Sequence, residues 1–180
     1  MSRSREISLE IRRAARPGRV LAIDPDAHTP GVAVWDPATL AVLAWGGNST
    51  GTAAGTPDGA RAILERLEPG LVIIEAPLTN GGPWAASMHG QNIVRGGWVW
   101  LATLSRAPVI LIPPGVWQWP LTRGARGSAA AKQAYKAHAR ALAGVSTINE
   151  DAAAAIGIMV FALGALDVRA DSWAVGRAPV

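Results

Sequence analysis

Two runs of four uninterrupted hydrophobic residues, Val20-Leu21-Ala22-Ile23 and Leu71-Val72-Ile73-Ile74, each end on a carboxylate: Asp24 and Glu75. A strand with one wet face alternates polar and apolar residues, whereas an unbroken apolar run is covered on both faces. The chain therefore needs a sheet with a helical layer on each side. Carboxylates at the ends of such strands are costly unless they are paired or bind a cation. A third acid, Asp151, opens the uncharged stretch 152–166. Carboxylates gathered at one edge repel each other, and divalent cations are the usual remedy. Metal-dependent phosphoryl transfer, and nuclease chemistry in particular, fits that pattern. Taken singly, each acid has a structural reading as well. Asp24 before Pro25 suits a turn, Glu75 suits a strand end, and Asp151 complements a helix dipole.

The order of elements follows from periodicity and breakers. Residues 20–23, 32–35 and 40–45 read as three strands of a meander, with a turn at Asp36-Pro37-Ala38-Thr39. Residues 46–55 are a Gly/Ser/Thr-rich loop. Thr56-Pro57 starts a helix reaching residue 67, with proline at its first position. A strand at 71–74, a Gly-rich loop at 79–83 and a helix to residue 104 follow. A strand at 109–112 stops at Pro113-Pro114, and helices are expected at 128–142 and 149–166. This β-β-β-α-β-α-β-α-α order predicts an α/β fold: a mixed five-stranded sheet, made of a three-stranded antiparallel meander plus parallel strands, with helices on both faces. The first and fourth strands lie side by side at its centre, which brings Asp24 and Glu75 to one edge. The N-terminus of the last helix adds Asp151.

Charge divides the chain into a basic N-terminal arm, 1–18, one domain, 19–167, and a C-terminal tail, 168–180, expected to fray. The net charge is +4, and residues 1–19 carry all of it, with 6 Arg against 2 Glu. Such an arm has two readings: a phosphate grip that makes binding salt-sensitive, or a solvated tail. The chain has no cysteine, which excludes disulfides and thiolate metal sites and suits a reducing cytosol. No apolar signal segment opens the chain. The longest uncharged run, 152–166, is shorter than the roughly 20 residues of a membrane span, so no membrane association is expected.

Further residues stand out around the acids. Glu150 has two roles open to it, as a fourth metal ligand or in a capping box with Thr147. Asp26, two residues after Asp24, is another acid of the same loop. Lys132 and Lys136 are the only 2 lysines and lie one helical turn apart, with Tyr135 and His138 beside them. A lysine there offers neutralisation of a pentavalent phosphate; the alternative is a solvated helix face. Eight tryptophans stand against 1 Tyr and 1 Phe. Trp98 and Trp100 read as core or dimer interface. Trp84, Trp117 and Trp119 either stack on unpaired bases, each stack contributing about 1–3 kcal/mol, or pack on Pro113, Pro114 and Pro120. His28 and His89 read as polar surface residues.

Several of these segments resemble one family, the RuvC-type Holliday junction resolvases. Val20-Leu-Ala-Ile-Asp-Pro-Asp-Ala-His-Thr-Pro-Gly-Val-Ala-Val is similar to their opening strand, loop and strand. Leu71-Val-Ile-Ile-Glu-Ala-Pro is similar to their second acidic strand, and Gly90-Gln91 with Arg95-Gly96 to the helix after it. Residues 122–132, with Gly124, Gly127 and Ala129, resemble their glycine-rich loop and the helical lysine beyond it. Asp151-Ala-Ala-Ala-Ala-Ile-Gly resembles the start of their last helix. The match spans residues 19–166 in the right order.

The resemblance implies an RNase H-like fold and a cytoplasmic homodimer, in a bacterium or a phage-infected cell. It implies nicking of two opposed strands of a branched, four-way DNA junction, with two Mg²⁺ (or Mn²⁺) ions per site. By position, Asp24, Glu75 and Asp151 become catalytic metal ligands and Lys132 a phosphate-side cation; either Glu150 or Asp26 compensates as a further ligand for the acid missing from the last helix, or the site runs with three carboxylates. Arg123 and Arg126 take the cationic role at the glycine-rich loop, and Leu78 stands where the family has an aromatic at the crossover; these and Lys132, with Lys136 and Trp84 added from the reading of the residues themselves, are the expected DNA contacts. Other departures are Asp26 in place of a glycine, Ala154 and Ala155 in place of a second acid on the last helix, and Trp117 in place of a basic residue. Three other functions remain in view. They are an RNA-directed RNase H-like nuclease, a junction-binding protein without catalysis, and an actin-like phosphotransferase, which needs a far longer chain.

Overall fold

In a computed structural model of the protein, the described residues are 2–26, 30–45, 56–77, 85–122, 125, 128–168 and 174–177. The expected strands all form: β1 (Val20–Asp24), β2 (Gly31–Asp36), β3 (Ala41–Trp45), β4 (Leu71–Glu75) and β5 (Val109–Ile112). They belong to one mixed sheet in the order β5-β4-β1-β2-β3-β6. The meander β1-β2-β3 is antiparallel, while β1 pairs with β4 and β4 with β5 in parallel.

The unbroken apolar runs do what their composition demands. Val20, Ala22, Leu71 and Ile73 face one core cluster; Leu21, Ile23, Val72 and Ile74 face another. The second cluster is closed by α2 (Pro57–Leu67) and α3 (Ala85–Leu104), through Ile63, Leu64, Trp98 and Leu101. Thr56 caps α2, its side chain accepting from the Gly59 amide at 3.2 Å, as the Thr-Pro signal predicts. The first cluster is closed by α1 (Arg3–Ala14), α4 (Pro114–Leu121), α5 (Ser128–Ala143) and α6 (Glu150–Ala165).

Three elements depart from the sequence reading. The basic arm is a helix, α1, whose Ile7 and Ile11 are buried in the core while Arg3, Arg5, Arg12 and Arg13 stay exposed. Arg12 holds it down, donating from Nε to the Ala165 carbonyl at 2.6 Å and pairing with Asp167 at 2.9 Å. Residues 174–177 are not frayed backbone: as β6 (Ala174–Arg177) they extend the sheet to six strands, parallel to β3. The Pro113-Pro114 stop is also a start, because Pro114 opens α4. Among the described residues no helix is long and apolar enough to cross a membrane.

Candidate active site

Register decides which way the acids point. Side chains alternate along a strand, so Asp24 continues the face of Val20 and Ala22, and Glu75 that of Leu71 and Ile73. Both therefore look toward α6 and α4. β1 and β4 are hydrogen-bonded neighbours, with Ile23 opposite Ile74, so the two acids leave adjacent strands side by side.

Asp151 reaches the same edge through a close contact that sequence reasoning did not single out. Gly31 lies opposite Asp24 on β2. A Cβ on Gly31 would sit 1.9 Å from the Asp151 carbonyl oxygen, so only glycine lets the first turn of α6 rest on β2. The signal was the Pro30-Gly31 pair, which reads equally well as a turn. Asn149 caps α6, its Oδ1 accepting from the amides of Asp151 at 2.7 Å and Ala152 at 3.4 Å. This corrects the Thr147 capping box: the cap falls two residues later, and Glu150 is the first residue of the helix rather than the third. Glu150 instead pairs with Lys132 of α5 across 2.5 Å, with both side chains substantially exposed.

Burial raises both strand acids, and the charge of neighbouring carboxylates adds to it at Asp24. Asp24 has its pKa raised well above the ordinary value, first by burial and then by the charges of Glu75, Asp151, Asp26 and Glu150. Glu75 is pushed up to about 7 by burial, against the opposing hydrogen bond from Trp117 and the charge of Arg95. Those two partners were not expected. Trp117 on α4 is buried and donates from Nε1 to Glu75 Oε2 at 2.9 Å. Its ring meets Tyr135 edge-on, with centroids 5.5 Å apart, and lies on Gly157 of α6, where a Cβ would stand 2.5 Å from the indole. Arg95 on α3 is buried, donates from Nε to the Glu75 carbonyl at 2.7 Å, and donates to Asn92 Oδ1. Burial lowers its pKa, and the charges of Glu75 and Asp24 resist that. The Tyr135 hydroxyl is pushed upward by burial and by Glu150, Asp24, Glu75 and Asp151.

Thus Asp24, Glu75, Asp151 and Glu150 share one electrostatic neighbourhood, with Lys132 tied to it through Glu150. Lys136, on the same helix, is half-buried. Ala154 and Ala155 are buried in the core, so no further carboxylate comes from that turn. Leu78, Trp84, Arg123, Arg126 and His28 lie outside the described residues. Trp98 is buried, while Trp100 is exposed and His89 lies at the surface. Among the described residues, no three acidic or imidazole side chains already close on one point as a cage; the carboxylates line an edge.

No family model matches the chain, and no curated protein matches it in sequence. Solved structures do match in fold. The T. thermophilus RuvC in complex with a Holliday junction substrate is 15% identical, with 84% of this chain and 97% of that chain covered and a TM-score of 0.58. A further Thermus thermophilus RuvC structure is 18% identical, over 83% of this chain and 97% of that one, with a TM-score of 0.56. The yeast mitochondrial Holliday junction resolvase Ydc2 is 11% identical, over 94% of this chain and 91% of that one, with a TM-score of 0.52. The chain has the RuvC fold of the RNase H-like architecture.

Proposed function

We propose, on the premise of that shared fold, that this chain is a DNA endonuclease resolving four-way or related branched junctions by paired, symmetric nicks. The observation that carries the reading is the placement of Asp24 and Glu75 on adjacent central strands, facing the α6 turn that bears Asp151. Fold alone does not carry chemistry; this edge does.

The donor set fits hard divalent ions, Mg²⁺ or Mn²⁺, two per site. It is all carboxylate oxygen, and Asp24 is burdened by the negative charge of its neighbours, which a cation relieves. Asp24, Glu75 and Asp151 would hold the ions, with Glu150 as a further ligand. Such ions supply activation of water and neutralisation of charge on a phosphodiester. The remaining work falls to the chain itself. Trp117 fixes Oε2 of Glu75, leaving Oε1 for a cation. Arg95 fixes the backbone of the same residue from the opposite face of the sheet. Asn149 and Gly31 fix the height of Asp151. Lys132 shields the scissile phosphate when DNA draws it from Glu150.

Paired nicks need two sites, and α3 offers a surface for a second copy. Ile93, Trp100 and Leu104 repeat on one helical stripe and are 63%, 58% and 60% exposed. The expected setting is the cytoplasm of a bacterium or a phage-infected cell. A second reading, junction binding without cleavage, is favoured by the buried Ala154 and Ala155 where the family carries an acid.

The test is a gel. A mobile-core four-way junction and a linear duplex are incubated with protein in Mg²⁺ or EDTA. Symmetric paired nicks in the junction alone, and only with metal, are expected. Binding without cleavage in Mg²⁺ and Mn²⁺ would overturn the nuclease and leave the second reading.

A further inference from the structure

A cleft of about 500 Å³ opens beside the acidic edge, outside the residues used above, and is lined by Arg3, Ser4, Pro77, Pro113, Pro114 and Trp119. Its size falls in the range of pockets that hold small ligands. One wall is the chain leaving Glu75: Ala76, whose amide donates to the Ile112 carbonyl at 2.8 Å, and then Pro77. The opposite wall is α4. On that helix Trp117 turns inward to hold Glu75, while Trp119 turns outward and is 68% exposed. Covering against the nearby prolines therefore does not explain Trp119. The third wall is the start of α1, where Arg3 is exposed and enters no ion pair among the described residues. Apolar proline faces, one open indole and one guanidinium make a chemical set for a flat aromatic group bearing an anion.

We propose that this cleft is a nucleotide subsite: it takes one unpaired nucleotide of the strand leaving the Asp24–Glu75 edge, with the base on Trp119 and its phosphate on Arg3. The inference rests on the reading of the chain as acting on nucleic acid. Stacking on an aromatic needs no base identity, because every base has a π-face. The subsite therefore holds a strand without reading its sequence. An unpaired nucleotide is required because paired bases keep their faces inside the duplex, away from any indole.

The test is fluorescence anisotropy in EDTA with the full chain. The probes are a short labelled oligothymidylate and a duplex of equal length. Trp119→Ala is expected to weaken oligothymidylate binding at least about fivefold, the low end for one lost base stack. Duplex affinity should stay within about twofold, and Trp119→Phe should restore oligothymidylate binding, since phenylalanine still stacks. Arg3→Gln should flatten the logarithmic salt slope on the single strand by about 0.7, the value for one phosphate contact. Oligothymidylate binding that is equal in Trp119→Ala and wild type would overturn the subsite. The gel above separates the two proposals. An uncut junction together with Trp119-dependent oligothymidylate binding removes the resolvase and keeps the subsite. A resolved junction with Trp119-independent binding does the reverse.

Discussion

Replacing Glu75 with glutamine keeps the shape of the side chain and removes a charge that the fold disfavours. The carboxyl has a folded value of about 7 against an ordinary 4.5. A group whose folded value is raised contributes stability below its unfolded value, and that contribution is lost as pH rises through the folded one. At pH 8 the free protein therefore carries an ionised Glu75 at a cost on the order of 3 kcal/mol, from 1.36 kcal/mol per tenfold proton affinity. Solvent screening of a partly exposed group and the weaker Trp117 bond to a neutral amide reduce the net gain to about 2 kcal/mol. For a chain of this size that is a rise of roughly 4–8 °C in melting temperature. At pH 5 the gain falls below about 1 kcal/mol, because the folded carboxyl is already protonated there. The assay is thermal unfolding of both proteins in EDTA at pH 8 and pH 5, repeated with Mg²⁺. The expected result is a variant that is more stable than wild type at pH 8 without metal, gains less from Mg²⁺, and does not cut. A variant less stable than wild type at pH 8 in EDTA would refute the claim that the acidic edge is electrostatically burdened.

Gly31→Ala forces a Cβ to within 1.9 Å of the Asp151 carbonyl oxygen. The first turn of α6 must shift, at about 1–3 kcal/mol of stability by urea unfolding and about a hundredfold in cleavage rate; unchanged values in both assays contradict the contact. Trp117→Phe keeps a ring against Gly157 and Tyr135 but deletes the donor to Glu75 Oε2. That bond lowers the Glu75 pKa, so the acid limb of the pH–rate profile should move to higher pH; an unmoved limb separates Glu75 from the rate. Ile11→Ala, in the core beneath α1, should cost about 2–5 kcal/mol by urea unfolding, whereas a freely solvated arm would give no change.

The sheet and its acids were legible because they obey strong local rules. Unbroken apolar runs must be covered on both faces, and a single acid at the end of each leaves little choice of edge. Alternation along the strand then fixes the direction of Asp24 and Glu75. The missed parts obey weaker rules. In α1 the apolar pair Ile7 and Ile11 has the spacing of one helical turn, but the charged residues around it hide it. The helix α4 is apolar and contains Pro120, so neither periodicity nor propensity marks it. Without α4 there was no means of knowing that Trp117 turns inward and Trp119 outward. The strand β6 is four residues with a glycine inside, and its pairing with β3 comes from the far end of the chain. Asn149 and Thr147 are both good caps in isolation, and only the docking of α6 on Gly31 chooses between them. Arg95 sits among apolar neighbours on α3, a hint without a partner until β4 is laid beneath it.

The anchoring of α1 has a consequence for how the molecule is made. Its buried Ile7 and Ile11 share a core with α6, and Arg12 is tied to Ala165 and Asp167. A ribosome delivers that first helix more than a hundred residues before its partner. Until then, β5 and α4 are the partners available to it. Short isolated helices are marginal in water, and the packing of α1 is complete only when α6 emerges. The acidic edge, whose third member also rides on α6, is assembled in the same late step. The emergence of α6 therefore completes the seat of α1 and the acidic edge together, and a chain truncated before α6 should possess neither.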